Sequence, residues 1–223
     1  MLRGRSRLPV LAEIAGPAEG SRAWALTGRD FEALRENLPR LDGRRVVATV
    51  GEGDEPTLAA IAIATAAAAC GRVAILVECD LARPRLAAQV GLAPAPGLHE
   101  YLRWEAEPAD VLQPVALAGP ASAAGGQLVC LCGGRPATKA DTLLGLQSFA
   151  HMVVKLRAAY EQVVLLSPPV LAEPTACLAV AAQADATVAG LAAGETAGRG
   201  GRTLRTAIKR LPVSPIGTIS ISA

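Results

Sequence analysis

Apolar residues in this chain fall into short, nearly continuous runs, each bounded by a charge, a glycine or a proline. The clearest are 46–50 (VVATV), 73–77 (VAILV), 127–132 (QLVCLC), 162–166 (QVVLL), 186–191 (ATVAGL) and 216–222 (IGTISIS). Runs of this length, apolar on successive rather than alternate positions, predict strands buried on both faces. A shorter strand is expected over 8–11. Between the strands lie helical patterns at 30–38, 57–70, 98–103, 108–112, 141–160, 173–183 and 196–211. The 30–38 helix has Thr27 or Asp30 as N-cap candidate and Pro39 as its stop; Gly71 ends the 57–70 helix, and Gly200-Gly201 interrupts the last one. Strand and helix in alternation predict an α/β, doubly wound, mainly parallel sheet with helices on both faces.

Composition narrows this. Apolar residues are 51% and aromatics 3% of the 223 residues, so Ala, Val, Leu and Ile must fill the core. That suits packed helix and parallel-sheet layers better than a sandwich or barrel. The longest apolar stretch, 58–70, falls short of the roughly 18 residues of a membrane span and reads as a buried helix. The amino terminus has arginines but no apolar core of a signal peptide. Five cysteines in apolar segments suit buried thiols in a reducing compartment; Cys130 and Cys132 alternate on one strand and face the same side. A metal or redox pair there has no second Cys/His pair to complete it.

Charge adds one sharp fact. The net charge is +2, too small to point to nucleic acid. The small excess sits in residues 1–45; residues 1–43 read as a basic, Pro/Gly-punctuated lead ahead of the expected 44–223 domain. Nearly all basic residues are arginine: lysine occurs only at Lys139, Lys155 and Lys209.

In an open parallel sheet, ligands bind beyond the carboxyl ends of the strands. Segments 51–57 (GEGDEPT), 77–84 (VECDLARP), 132–134 (CGG) and 166–169 (LSPP) should meet there. The first joins a strand to a helix, the position of a phosphate loop. A working phosphate loop reads G-x-x-x-x-G-K-[ST], with a lysine on the β/γ oxygens and a hydroxyl on Mg²⁺.

Five segments in order carry a family resemblance: 8–14 (LPVLAEI), 31–38 (FEALRENL), 74–92 (AILVECDLARPRLAAQVGL), 97–102 (GLHEYL) and 160–171 (YEQVVLLSPPVL). At this spacing the chain resembles the cytoplasmic bacterial tyrosine kinases of capsule and exopolysaccharide synthesis, a branch of the deviant-Walker ATPases that includes partitioning and septum-site proteins. The resemblance runs from about Leu8 to Ile219. It implies a P-loop NTPase-like fold, a cytoplasmic protein, free or peripheral at the inner face of the plasma membrane, and a membrane chain-length regulator or glycosyltransferase as partner. Homo-oligomers, or mixed oligomers with an active homologue, are implied as well. The degenerate nucleotide and Mg²⁺ positions carried over are Gly51, Gly53, Thr57, Glu78, Asp80, Arg83 and Ser167, with Asp80 and Glu78 the vestigial metal ligands.

The departures fall on chemistry. With Thr57 aligned, Glu55 or Pro56 stands where the lysine belongs, and no lysine precedes Lys139. The loop carries Glu52, Asp54 and Glu55 instead; at an effective dielectric near 20, one like-charge contact at about 4 Å opposes a phosphate by up to about 4 kcal/mol. Pro56 removes a backbone donor. Leu166 replaces the Walker B aspartate. The family's C-terminal tyrosine cluster has no counterpart, since the tyrosines are Tyr101 and Tyr160. The self-association motif keeps Glu32 and Arg35 but has Leu38 in its third place. No catalytic residue is assigned, and no cofactor is expected, ATP/Mg²⁺ being at most weakly held.

Each of these features also has an ordinary reading. Glu78 and Asp80 are either relict metal ligands or strand-end acids that cap a helix. Ser167-Pro168-Pro169 is either a nucleotide switch or strand punctuation. Arg199, Arg202, Arg205 and Lys209 on one helix face either dock an acidic partner or are solvated; Arg3, Arg5 and Arg7 either touch an anionic membrane or form a free tail. His99 and His151 receive no role. The leading expectation is a non-catalytic, kinase-like scaffold or regulator. The alternatives are an active ATPase or kinase using Arg83 or Arg44 for the lysine, and a binder of another nucleotide through Gly51, Gly53 and Glu78.

Overall fold

The structure, a computed structural model, describes residues 8–16, 28–117, 126–194 and 198–222. Its strands are β1 (Val10–Ala15), β2 (Val46–Val50), β3 (Val73–Glu78), β4 (Leu112–Val115), β5 (Gln127–Leu131), β6 (Gln162–Leu166), β7 (Ala186–Ala192) and β8 (Pro215–Ser222). They form one sheet in the order β1-β8-β7-β2-β6-β3-β5-β4. Every neighbouring pair is parallel except β4–β5. The fold is therefore the mainly parallel α/β sheet that the sequence predicts.

Successive residues of the central strands enter opposite cores, which is why the apolar runs are continuous. Val47, Leu76, Val164 and Leu166 face one layer. Val46, Ala48, Ile75, Val77, Val163 and Leu165 face the other. The first layer is α2 (Glu55–Ala69), with α1 (Gly28–Asn37) packed on it and on β1. Helix α2 is buried on nearly every face; its alanines let the sheet and α1 approach from opposite sides. The second layer holds α4 (Leu98–Leu102), α6 (Ala140–Leu144), α7 (Gln147–Ala159) and α8 (Pro174–Ala181). Helix α9 (Gly198–Lys209) closes the same side against β7 through Leu204 and Ile208.

The expected elements form with informative differences. The first strand starts at Val10 and reaches Ala15, and β1 extends the sheet beside β8. Helix α2 begins at Glu55, two residues early, because Pro56 sits in its first turn, where a missing N–H leaves no bond unmade. The expected 141–160 helix is two helices that divide at Gly145-Leu146. The 108–112 helix shrinks to α5 (Pro108–Val111), followed at once by β4. Pro114 hid β4 from the sequence, and an edge strand tolerates it. Helix α3 (Leu86–Val90) is too short to show a period. No helix among the described residues is long and apolar enough to cross a membrane. Arg3, Arg5, Arg7, Thr27 and the Arg199 side chain lie outside what is described; Arg202 and Lys209 are exposed and Arg205 is half-buried.

Candidate functional site

Three of the four segments expected at the carboxyl ends converge on one small recess, lined by Gly51, Gly53, Pro56, Thr57, Glu78, Asp80, Arg83, Arg85, Leu166, Ser167 and Pro169; the fourth, 132–134, joins it through the Gly133 N–H bond to Glu78. Strand order explains it: β2, β6 and β3 are neighbours, so the ends that follow them are too. Backbone bonds tie the rim together. Ser167 N–H donates to Thr49 O at 3.1 Å, Val170 N–H to Gly51 O at 3.1 Å, and Cys79 N–H to Leu166 O at 2.9 Å.

The recess retains about 10 Å³ of free space, room for about one water. The chain itself fills it. Gly53 takes a left-handed φ of 70° to turn the loop. The loop then lies on β7: a Cβ added to Gly190 would meet Glu55 O at 2.6 Å and Pro56 Cα at 2.7 Å.

The loop carboxylates have internal partners. Glu52 Oε1 accepts the Leu171 N–H at 2.5 Å. Asp54 forms an ion pair with the guanidinium of Arg85, a residue that lines the recess. The acids therefore do more than repel a phosphate, since two of them bind parts of the chain. Arg85 is the site residue that sequence reasoning missed. The three-acid loop itself was the signal, for such a loop needs a nearby cation, and Arg85 follows Arg83-Pro84 directly.

Glu78 is 1% exposed. Its Oε1 accepts the N–H groups of Arg85 at 2.5 Å and Leu86 at 2.8 Å, and its Oε2 accepts that of Gly133 at 2.8 Å. The carboxylate thus caps α3 and fastens the end of β5 to the end of β3. Burial pushes its pKa up, and the three N–H groups pull it back in part. Gly133 must be glycine, since a Cβ there would meet Pro84 Cβ at 2.7 Å. Asp80 accepts the Arg83 N–H at 3.2 Å. Burial raises its carboxyl and the Arg83 charge opposes that shift. Leu166 is buried in the α2 core. Ser167 donates to Pro168 O at 3.0 Å and is 4% exposed.

These groups do not fit Mg-nucleotide. Both Glu78 oxygens are engaged, Leu166, expected at the Walker B position, is an alkyl chain, and the loop carries three acids, one of them paired with Arg85. Among the described residues, no group of three or more His, Cys, Asp or Glu is arranged to hold a metal. Cys130 and Cys132 share the α2-side core, and burial raises both thiols, Cys132 to about 12. Arg44, offered as a substitute for the lysine, is not at the site. It precedes β2, at the opposite end of the sheet, because a residue before a parallel strand cannot reach the end after it.

A second buried acid braces the neighbouring segment. Glu100, 3% exposed, accepts the Gly97 N–H at 2.8 Å, the Arg135 N–H at 3.1 Å and the Arg135 Nε at 2.7 Å. Burial raises its carboxyl, but these donors outweigh burial and hold it below the ordinary range. His99 Nδ1 lies 2.7 Å from Arg135 O, so His99 belongs to the same brace. On α1, Glu32 and Arg35 pair with each other at 2.6 Å on an exposed face, while Leu38 is buried.

No family model and no curated protein matches the chain. Solved structures do. A chimerical protein CapA2B2 superposes with a TM-score of 0.80 at 17% identity, covering 96% of this chain and 94% of that one. The kinase domain of the Escherichia coli tyrosine kinase ETK gives 0.77 at 17%, covering 97% and 91%. The septum site-determining protein MinD from Pyrococcus horikoshii, complexed with Mg-ADP, gives 0.57 at 15%, covering 79% and 69%. The chain thus has the P-loop NTPase-like fold of bacterial tyrosine kinase domains, with a collapsed recess where that fold places its phosphate loop.

Proposed function

We propose that this protein is a non-catalytic relative of the bacterial tyrosine kinases and acts as a scaffold or regulator in exopolysaccharide or capsule synthesis. Its partner on this reading is a membrane chain-length regulator or a glycosyltransferase, met at the inner face of the membrane. The fold likeness supports the kinase relation. The single observation that carries the loss of catalysis is the small recess: Arg85, in its lining, is tied to Asp54, and Glu55 and Pro56 lie against Gly190. The missing lysine and the Leu166 substitution agree with it.

The test is isothermal titration of the purified chain with ATP and Mg²⁺, with a parallel assay of ATP hydrolysis and tyrosine phosphorylation. No saturable binding up to millimolar ATP, and no turnover, is the expected result. Micromolar Mg²⁺-dependent binding overturns the reading. It would favour the alternative in which Arg83 and Arg85, both at the recess, hold phosphate in place of lysine; Arg85→Gln would then abolish that binding.

A further inference from the structure

A charged cleft lies at the other end of the sheet. A cleft of about 620 Å³ opens at the amino ends of the adjacent strands β2, β6 and β3. That is within the roughly 300–1,000 Å³ of small-ligand sites. Its walls carry four arginines: Arg44 and Arg45 ahead of β2, Arg72 ahead of β3, and Arg157 in the last turn of α7. Two carboxylates share the lining, Asp42 and Glu161.

Both acids already have partners, one of them a cleft arginine. Asp42 Oδ1 accepts from Arg72 Nη2 at 3.0 Å, and Glu161 Oε2 accepts the Val73 N–H at 2.8 Å. Arg157 pairs with Asp185 at 2.8 Å. Arg44 and Arg45 differ. Their Nη1 groups donate to main-chain oxygens, Arg40 O at 2.6 Å and Arg157 O at 3.3 Å, and among the described residues neither has a carboxylate partner. Arg44 and Arg45 thus stand beside the cleft with no carboxylate bonded to either. The arrangement is also held in place. Gln162, fully buried, donates from Nε2 to Arg44 O at 3.4 Å and Arg45 O at 3.2 Å, and accepts Arg72 Nη1 at 3.4 Å. Of the five N–H donors on each guanidinium, no more than two are engaged.

We propose that this cleft binds a pyrophosphate-type anion, with Arg44 and Arg45 as its principal ligands and Arg72 and Arg157 at its sides. Guanidinium forks match phosphate oxygens in pairs, which an isolated ammonium does not. Four arginines against Asp42, Glu161 and the Asp185 that pairs with Arg157 leave the cleft net positive, a field that favours an anion. The site is independent of the reading of the collapsed recess and stands at the opposite end of the sheet from it. The same chemistry occurs in soluble phosphate esters and in anionic lipid headgroups.

The test is calorimetric titration of the full chain with inorganic pyrophosphate at low ionic strength. One saturable site is expected, weakened at least tenfold in Arg44→Gln/Arg45→Gln, several-fold in Arg44→Lys/Arg45→Lys, and unchanged in Arg103→Gln, an exposed charge paired with Glu105 on the carboxyl-end side of the sheet. Circular dichroism checks that each variant is folded. Should the Gln pair not fold, pyrophosphate-induced NMR shifts at the Gln162 side-chain amide of the native chain decide the matter, and their absence overturns the proposal. It is equally overturned if the native chain shows no saturable binding, if the folded Gln pair binds as the native chain does, or if Arg83→Gln alone abolishes binding. Sedimentation with phosphatidylglycerol and phosphatidylcholine vesicles then separates the sources. Retention on the anionic vesicles that pyrophosphate displaces and the Gln pair loses supports the site with a lipid headgroup; pyrophosphate binding without vesicle retention supports it with a soluble ligand.

Discussion

Replacing Glu78 by Gln tests whether the acid once expected at a metal site is now a structural fastener. The native carboxylate accepts three backbone N–H groups at 2.5–2.8 Å while 1% exposed. A hydrogen bond to a charged acceptor contributes about 1.5–3 kcal/mol, and a neutral one about 1. Gln has one acceptor oxygen. Turned toward Arg85 and Leu86, it keeps two bonds in weakened, neutral form and points its amide N–H groups at the Gly133 N–H, where a bond is lost. Relief of the buried charge offsets part of this. The net loss is about 2 kcal/mol, which lowers Tm by about 4–8 °C for a chain of this size. Differential scanning calorimetry at neutral pH, without nucleotide or metal, measures it. A Tm within 1 °C of the native value, or above it, refutes the argument, for then the three bonds contribute nothing beyond the desolvation of the charge. A Tm that falls only when Mg²⁺ is present refutes it in another way, by restoring the metal role.

Thr49 offers the opposite sign. Its hydroxyl is buried without a hydrogen-bond partner, so Thr49→Val should raise stability by about 1 kcal/mol in urea unfolding. Gly190→Ala sets a Cβ against Glu55 O and Pro56 Cα, and overpacking of this kind costs about 1–3 kcal/mol; an unchanged denaturation midpoint would show that the loop moves freely. Glu100 carries a pH signature. Its pKa is held down in the folded state, so its contribution is present at neutral pH and is lost as pH falls through the folded value, below the ordinary carboxylate range. Arg135→Gln removes the main donor, and acid unfolding should then begin at higher pH than in the native protein.

The sequence by itself determined the layers. Val46–Val50, Val73–Val77 and Gln162–Leu166 are apolar on consecutive positions, which only a strand covered on both faces can use, and the absence of lysine before Lys139 already argued against a working phosphate loop. It also located the segments that meet at the carboxyl ends, because that rule depends on chain direction rather than on packing. Local pattern could not show β4, with its proline, or the break at Gly145-Leu146, since both are settled by what lies beside them. Nor could it decide what the acids do. Glu78 reads in sequence as a metal ligand or a cap; its role follows from Gly133, 55 positions away, arriving within 2.8 Å. Tertiary structure alone brought Arg85 across to Asp54 and laid the loop on Gly190. It alone gathered Arg44, Arg45, Arg72 and Arg157, scattered over more than a hundred residues, around one cleft, because parallel strands deliver all their amino ends to the same edge of the sheet.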